Sequence, residues 1–290
     1  MLNGFINLYK EKGITSNKAV SILKYYLKQN NIQTKIGHFG TLDPLAEGVL
    51  PIALGRATRL FDYFLDKTKE YYAVVEFGIQ TDTLDMGGSV VKREDVVITQ
   101  NQILQVVDQF KGEIEQIPPH FSAKFVNGKR AYELARKGLS FELKPKKIMI
   151  YDISLVKEEG YNKFGFNIVC GGGAYIRALA RDIAQRLNTV GMLASLTRKA
   201  SGEFTVDSSV KIEELSKNPL QYILPMEKVV ESYPQIIVKE SEKTDLLNGK
   251  VLLFNELPHG YFALKTYEDN KLFGMGINDN GRLKVKTWLI

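Results

Sequence analysis

Apolar residues recur along this chain with periods that change between two and three or four, which predicts strands and helices in mixed order. Residues 4–9 (GFINLY) form a short apolar run and read as a strand. Thr15 or Ser16 then offers an N-cap for a helix to about Gln29, with Val20, Leu23 and Leu27 along one face. The stretch 35–54 breaks both periods. Its run GHFGTLDPLAEGVLPIALG holds four glycines and two prolines among apolar residues, which predicts tight turns and a functional loop. YYAVVEFG (71–78) reads as a strand, followed by a loop rich in Thr, Asp and Gly, and 101–110 reads as a helix. A turn is expected at Asn127-Gly128, a short helix near 131–136 and a strand over 164–169. Ile176, Leu179, Ala180, Ile183 and Leu187 recur at helical spacing and predict an amphipathic helix. After about Ser232 the texture turns to short β-like runs (PQIIVKE, KVLLF, YFALKTY, KLFGMGI, LKVKTWLI) between Gly, Asn and Asp turns. A small, mostly β domain over 232–290, appended to a larger mixed one over 1–231, is the expectation.

Composition narrows the class. With 290 residues, 44% of them hydrophobic and 25% charged, the chain can bury a large core and has no tract biased toward disorder. No window is apolar enough to span a membrane, and a charge at Lys10 interrupts any signal-peptide core, so a cytoplasmic location is expected. The single cysteine, Cys170, cannot close an internal disulfide and reads as a buried, inert thiol. His38, His120 and His259 lie far apart in sequence, so no zinc site is expected.

Charge changes the picture more by placement than by size. The whole chain carries +6, and residues 120–150 alone hold eight basic and two acidic side chains, 8 − 2 = +6. Phe121, Phe125, Tyr132 and Phe141 are interleaved with these bases. Cations for phosphates and rings for bases suit a looped or single-stranded nucleic acid, with Lys124, Lys129, Arg130 and Lys137 as the expected backbone contacts.

The segment GHFGTLDPLAEG (37–48) offers the chemistry. Pro44 fixes its own φ and turns Asp43 away from helical geometry, so a carboxylate is presented on a stiff loop between Leu42 and Leu45. An Asp in such a turn ordinarily bonds its own backbone; it becomes a nucleophile or base only where a cation keeps it ionised. Likewise Tyr71 could be plain core, His38 a satisfied polar residue, Arg177 a solvated cap, and Thr81, Asp82, Thr83 and Asp85 an acidic turn.

Six blocks taken together outweigh those readings: GFINLYKEKGITSN, GHFGTLDPLAEGVLPIALGRATR, KEYYAVVEFGIQTDTLD, PPHFSAKFVNGKRAYELARKG, GAYIRALARDIAQRL and LTRKASGEF, spanning about 4–204. In order and spacing they resemble the bacterial tRNA pseudouridine synthase B (TruB) family, which modifies the uridine at position 55 in the TΨC loop of tRNA. The resemblance implies that Asp43 is the catalytic carboxylate and that His38 lies beside a flipped nucleotide. It further implies that Tyr71 stacks on the target ring, that Arg177 of the Y-I-R run beginning at Tyr175 pairs with Asp43, and that Leu196 lines the pocket. Phe39, Glu47 and Phe125 depart from residues common in the family, which touches fine specificity only.

The implied fold is α+β: a mixed, largely antiparallel sheet with a central cleft and flanking helices, 116–147 as a basic flap over RNA, and a C-terminal PUA-like RNA-binding domain. The implied reaction needs no cofactor and no metal, in keeping with the absence of a GxGxxG or GxxxxGK[ST] sequence. Its partner is the T-arm of tRNA, with no obligate protein partner and a monomeric state. Whether the carboxylate attacks C1′, adds to C6 or takes the C2′ proton stays open. A non-catalytic tRNA-binding or folding protein, and an N-glycosidase using the same Asp, are the competing functions.

Overall fold

The run GFINLYK is buried at nearly every position, as befits a strand covered on both faces, and forms β1 (Gly4–Lys10). The computed structural model describes all residues except Met1, Asp66, Asn127 and Asn255. The Thr15 hydroxyl accepts from the Lys18 N–H and starts α1 (Ser16–Gln29), which buries Ala19, Leu23 and Leu27. Then come β2 (Ile36–His38), β3 (Ala46–Leu54), α2 (Phe61–Leu65), β4 (Lys69–Phe77) and the short pair β5 (Ile79–Thr81) and β6 (Val90–Arg93). A Thr99–Gln102 capping box opens α3 (Gln100–Val107), and β7 (Gly112–Gln116) follows. The basic segment holds a minimal ribbon, β8 (Phe125–Val126) and β9 (Lys129–Arg130), and α4 (Ala131–Arg136). Beyond it lie β10 (Lys146–Gly160), β11 (Lys163–Cys170), α5 (Ile176–Arg186), β12 (Gly191–Ser201), β13 (Phe204–Thr205), β14 (Val210–Lys211), α6 (Ile212–Leu215) and α7 (Glu227–Val230). The C-terminal part comprises β15 (Gln235–Val238), α8 (Glu240–Leu247), β16 (Leu252–Leu253), β17 (Gly260–Thr266), β18 (Leu272–Asp279) and β19 (Arg282–Trp288).

The main sheet runs β14-β1-β3-β12-β4-β11-β10-β7, with β2 attached to β3 and β13 to β12. It is largely antiparallel; β1–β14 and β3–β12 are parallel. Side chains alternate across it, as the pleat requires. Ile6 and Leu8 of β1 and Leu50, Ile52 and Leu54 of β3 face a core shared with α1, α3 and α5. Phe5, Val49 and Ala53 face a second, aromatic core with Phe39, Phe64 and Phe204. The smaller sheet, β15-β17-β18-β19-β16, turns Phe262, Leu264 and Phe273 to its own core. Its Ala263, Leu272 and Met275 join the aromatic core of the main sheet instead. The α+β class with a small β-rich C-terminal part is thus as expected. No helix among the described residues is long and apolar enough to cross a membrane.

One expectation is corrected: 35–54 is not one loop but two strands joined by a short loop, 39–45. Pro51 is accommodated inside β3 between its two short neighbours on that side: β12 pairs only Ala46 to Gly48 and β2 only Ile52 to Leu54, and where β2 ends Pro51 O accepts from the Phe39 N–H at 2.8 Å. Gly48, at φ +104°, lies so close to β12 that a Cβ would stand 2.3 Å from the Arg198 carbonyl oxygen. The strands β7, β10 and β12, not anticipated from the pattern, complete the sheet. Bulges break the alternation of β10 and β12.

Candidate active site

Asp43 sits in the 39–45 loop, and buried side chains from two elements brace it. The Ser16 hydroxyl, at the start of α1, accepts from the Leu42 N–H (2.9 Å) and donates to the Leu42 carbonyl (2.8 Å). Lys10, at the end of β1 and fully buried, donates to the carbonyls of Glu11 (2.9 Å), Ile14 (2.8 Å) and Pro44 (3.4 Å). The Gly13 N–H also donates to Pro44 O, at 2.8 Å. Burial pushes the Lys10 ammonium down to about 8, against the opposing charges of Asp43 and Glu47.

Arg177 supplies the cation. It is the second residue of α5 and its side chain is 6% exposed, whereas that of Asp43 is 39% exposed. Arg177 Nε meets Asp43 Oδ2 at 2.8 Å and Asp85 Oδ2 at 3.6 Å. Nη1 donates to Thr83 O (2.8 Å) and Nη2 to Phe121 O (3.0 Å). All three guanidinium nitrogens are engaged, so the plane that faces Asp43 cannot rotate freely. Asp85 is fixed in turn: its Oδ1 accepts from the Thr83 hydroxyl (2.7 Å) and the Gly87 N–H (2.9 Å). The start of α5 is clamped by buried Gln116, whose Oε1 accepts from Tyr175 N–H (2.8 Å) and whose Nε2 donates to Tyr175 O (3.2 Å).

Asp43, Asp85 and Arg177 share a pocket with Leu45, Ala46, Met86 and the β12 residues Leu193, Ala194, Ser195 and Leu196. Its wall is apolar, its floor ionic, and one carboxylate faces solvent. The arrangement sets a carboxylate that could serve as nucleophile or base beside apolar surface. Among the described residues no three His, Cys, Asp or Glu side chains gather as metal ligands.

Residues 26–176 match the TruB family pseudouridylate synthase (N terminal domain). Over 289 residues the chain is 39% identical to tRNA pseudouridine synthase B of Clostridium kluyveri, covering 98% of each. Over 293 residues it is 38% identical to the same-named protein of Aquifex aeolicus, covering 100% of each. The chain belongs to the TruB family. Among solved structures, a chain in the crystal structure of a Cbf5-Nop10-Gar1 complex is 26% identical with TM-score 0.74, covering 99% of this chain and 85% of that one.

In this TruB-family chain the residues singled out from the sequence fall into two groups. Asp43, Arg177 and Leu196 line one pocket, and Tyr175 adjoins it through Arg177. Burial raises the Tyr175 hydroxyl, and the Asp43 charge adds to the rise. Tyr71 and His38 are off that pocket's wall and close to Arg198. Tyr71 is buried in β4 and its hydroxyl is raised by burial, with Arg198 opposing. His38 ends β2; burial, then the Arg198 charge, lowers it toward the neutral form, and its buried Nδ1 has no partner among the described residues.

In the basic segment Lys129 and Lys137 are exposed and Lys124 is half-buried. Arg130 differs: its guanidinium lies 3.9 Å from the Phe125 ring centroid and donates to Ala123 O, so it braces its own ribbon. Asn127 of the expected turn lies outside the described residues. Sequence reasoning passed over Lys10, Ser16, Asp85, Gln116 and Arg198. Asp85 carried a signal within the TDTLD run, which reads as an acidic turn until Arg177 is brought beside it.

Proposed function

We propose that this chain isomerises the uridine at position 55 of the TΨC loop of tRNA to pseudouridine, with Asp43 as the catalytic carboxylate. The observation that carries the reading is the half-exposed Asp43 carboxylate held at 2.8 Å by a buried arginine, on a braced loop that lines one pocket with Leu45, Met86 and Leu196. In the reaction the C1′–N1 bond breaks, the uracil turns, C1′ joins C5, and the C5 hydrogen leaves as a proton while N1 gains one. Nothing is oxidised and no group is carried away, so side chains suffice. The target base must leave its stack first, at a cost of a few kcal/mol.

In this reading Arg177 orients Asp43 through their ion pair, Leu196 packs on the base, Tyr175 faces its edge, and Tyr71 and His38 meet the extruded nucleotide. Lys124, Lys129 and Lys137 grip phosphates of the T-arm from the 116–147 flap. Residues 1–231 act as the catalytic domain, and 232–290 as a small RNA-binding domain of PUA type. The enzyme works as a cytoplasmic monomer on tRNA alone.

The test uses tRNA labelled with tritium at uridine C5. Wild type should release the label, and Asp43→Asn should bind tRNA normally and release none. Turnover by the amide at the wild-type rate rejects the reading, and free uracil among the products would point to glycosidase chemistry instead.

A further inference from the structure

Arg198 is 2% exposed, and no carboxylate forms an ion pair with it among the described residues. A buried cation that meets only dipoles is a costly way to fill space, so packing alone accounts for it poorly. What it touches is informative. Nε donates to Val49 O (2.7 Å) and Nη2 to Gly40 O (2.9 Å). Gly40 lies three residues before Asp43 and Val49 six after it, so one rigid side chain fastens both ends of the arc that presents the carboxylate. The backbone explains how: on β12, Arg198 lies in register with Gly48 of β3 on one side and Tyr71 of β4 on the other. Gly48 lets the strands close, and Gly40, at φ +93°, leaves room beside Nη1, which is 3.5 Å from where its Cβ would stand.

We propose that Arg198 is a positioning residue: it fixes the arc 40–49, and with it Asp43 against Arg177, and keeps that arc in register with Tyr71 on the neighbouring strand. The inference rests on the synthase reading and deepens it. Arg198 itself is sealed from substrate and acts through the loop. Only a planar fork can hold the carbonyls of Gly40 and Val49 from one buried point; a lysine ammonium cannot span them.

The test compares wild type with Arg198→Lys and Arg198→Gln in three measurements: tritium release, tRNA affinity and thermal unfolding. A displaced carboxylate should lower kcat about 100-fold in both variants. The Kd for tRNA should stay within about threefold, since this side chain is hidden from RNA while the flap is intact. Wild-type kcat in folded Arg198→Lys and Arg198→Gln overturns the proposal. So does a loss of activity that merely follows the folded fraction, or one matched by an equal loss of affinity. Should neither variant fold, hydrogen exchange of the Arg198 Nε–H in wild type decides. Slow exchange fits the bond to Val49, and exchange as fast as a free guanidinium overturns it. If wild type releases no label, the synthase reading falls, and the exchange measurement alone judges where Arg198 is held.

Discussion

Lys10 and Arg198 are both cations placed where water cannot reach, and both spend their hydrogen bonds on backbone carbonyls around Asp43. For Lys10 this arrangement has a sign that can be measured. Its folded value of about 8 lies below the ordinary 10.5, so between those pH values the unfolded chain holds more protons than the folded one. Stability from this group therefore rises with pH across that window, and is lost as pH falls back through about 8. In urea titrations the stability of wild type minus that of Lys10→Met should grow from about pH 8 to about pH 10.5. A flat difference would mean that the ammonium is solvated. None of this was legible from sequence: a lysine closing a strand, LYKEKG, looks like any surface lysine until the loop carrying Pro44 folds over it.

At the scale of elements, the parallel contact of β3 with β12 is only three residues long, Ala46 to Gly48 against Leu196 to Arg198, yet it brings Leu196, Arg198 and the Asp43 loop together. Gly48 makes that contact possible. Gly48→Ala places a Cβ 2.3 Å from the Arg198 carbonyl oxygen at a φ of +104° that alanine resists. The predicted cost is about 3 kcal/mol or more, read as a lower urea midpoint. The elements with regular periodicity were legible: β1, α1, β4, α5 and the C-terminal strands follow their hydrophobic patterns, and Thr15 caps where a cap was expected. What failed to show was β12. Its run GMLASLTRKAS buries Arg198 between Thr197 and Lys199 and carries bulges, so no apolar–polar alternation survives to be read. The site was legible in proportion: Asp43, Arg177 and Leu196 follow from recognisable blocks, but the braces behind them depend on contacts between residues as far apart as Gly40 and Arg198.

For the molecule as a whole, the two sheets share a core. Ala263, Leu272, Met275 and Leu289 belong to the cluster that includes Phe39, the residue just after β2. The Tyr63 hydroxyl meets Thr287, and Arg59 donates to Trp288 O, tying the region after β3 to β19. The C-terminal sheet is therefore structural for the loop side of the molecule as well as a candidate RNA surface. The RNA grip has its own prediction. Replacing Lys129, Arg130 and Lys137 together by Ala should weaken tRNA binding and reduce the slope of log affinity against log salt by about 2 rather than about 3. Arg130 accounts for the difference because its guanidinium is already occupied by Phe125 and Ala123. A slope that does not change would place the grip elsewhere.

Cys170, the chain's one sulfur nucleophile, is 1% exposed where β11 lies between β4 and β10. Burial pushes its thiol up to about 12, so in the closed molecule it has neither access nor thiolate character. A thiol reagent added to this protein consequently counts openings of the central sheet and nothing else. Alkylation should be slow in native buffer and speed up with urea in step with the population of opened molecules. Fast labelling of the folded enzyme would show that the middle of the sheet breathes far more than its sealed sulfur implies.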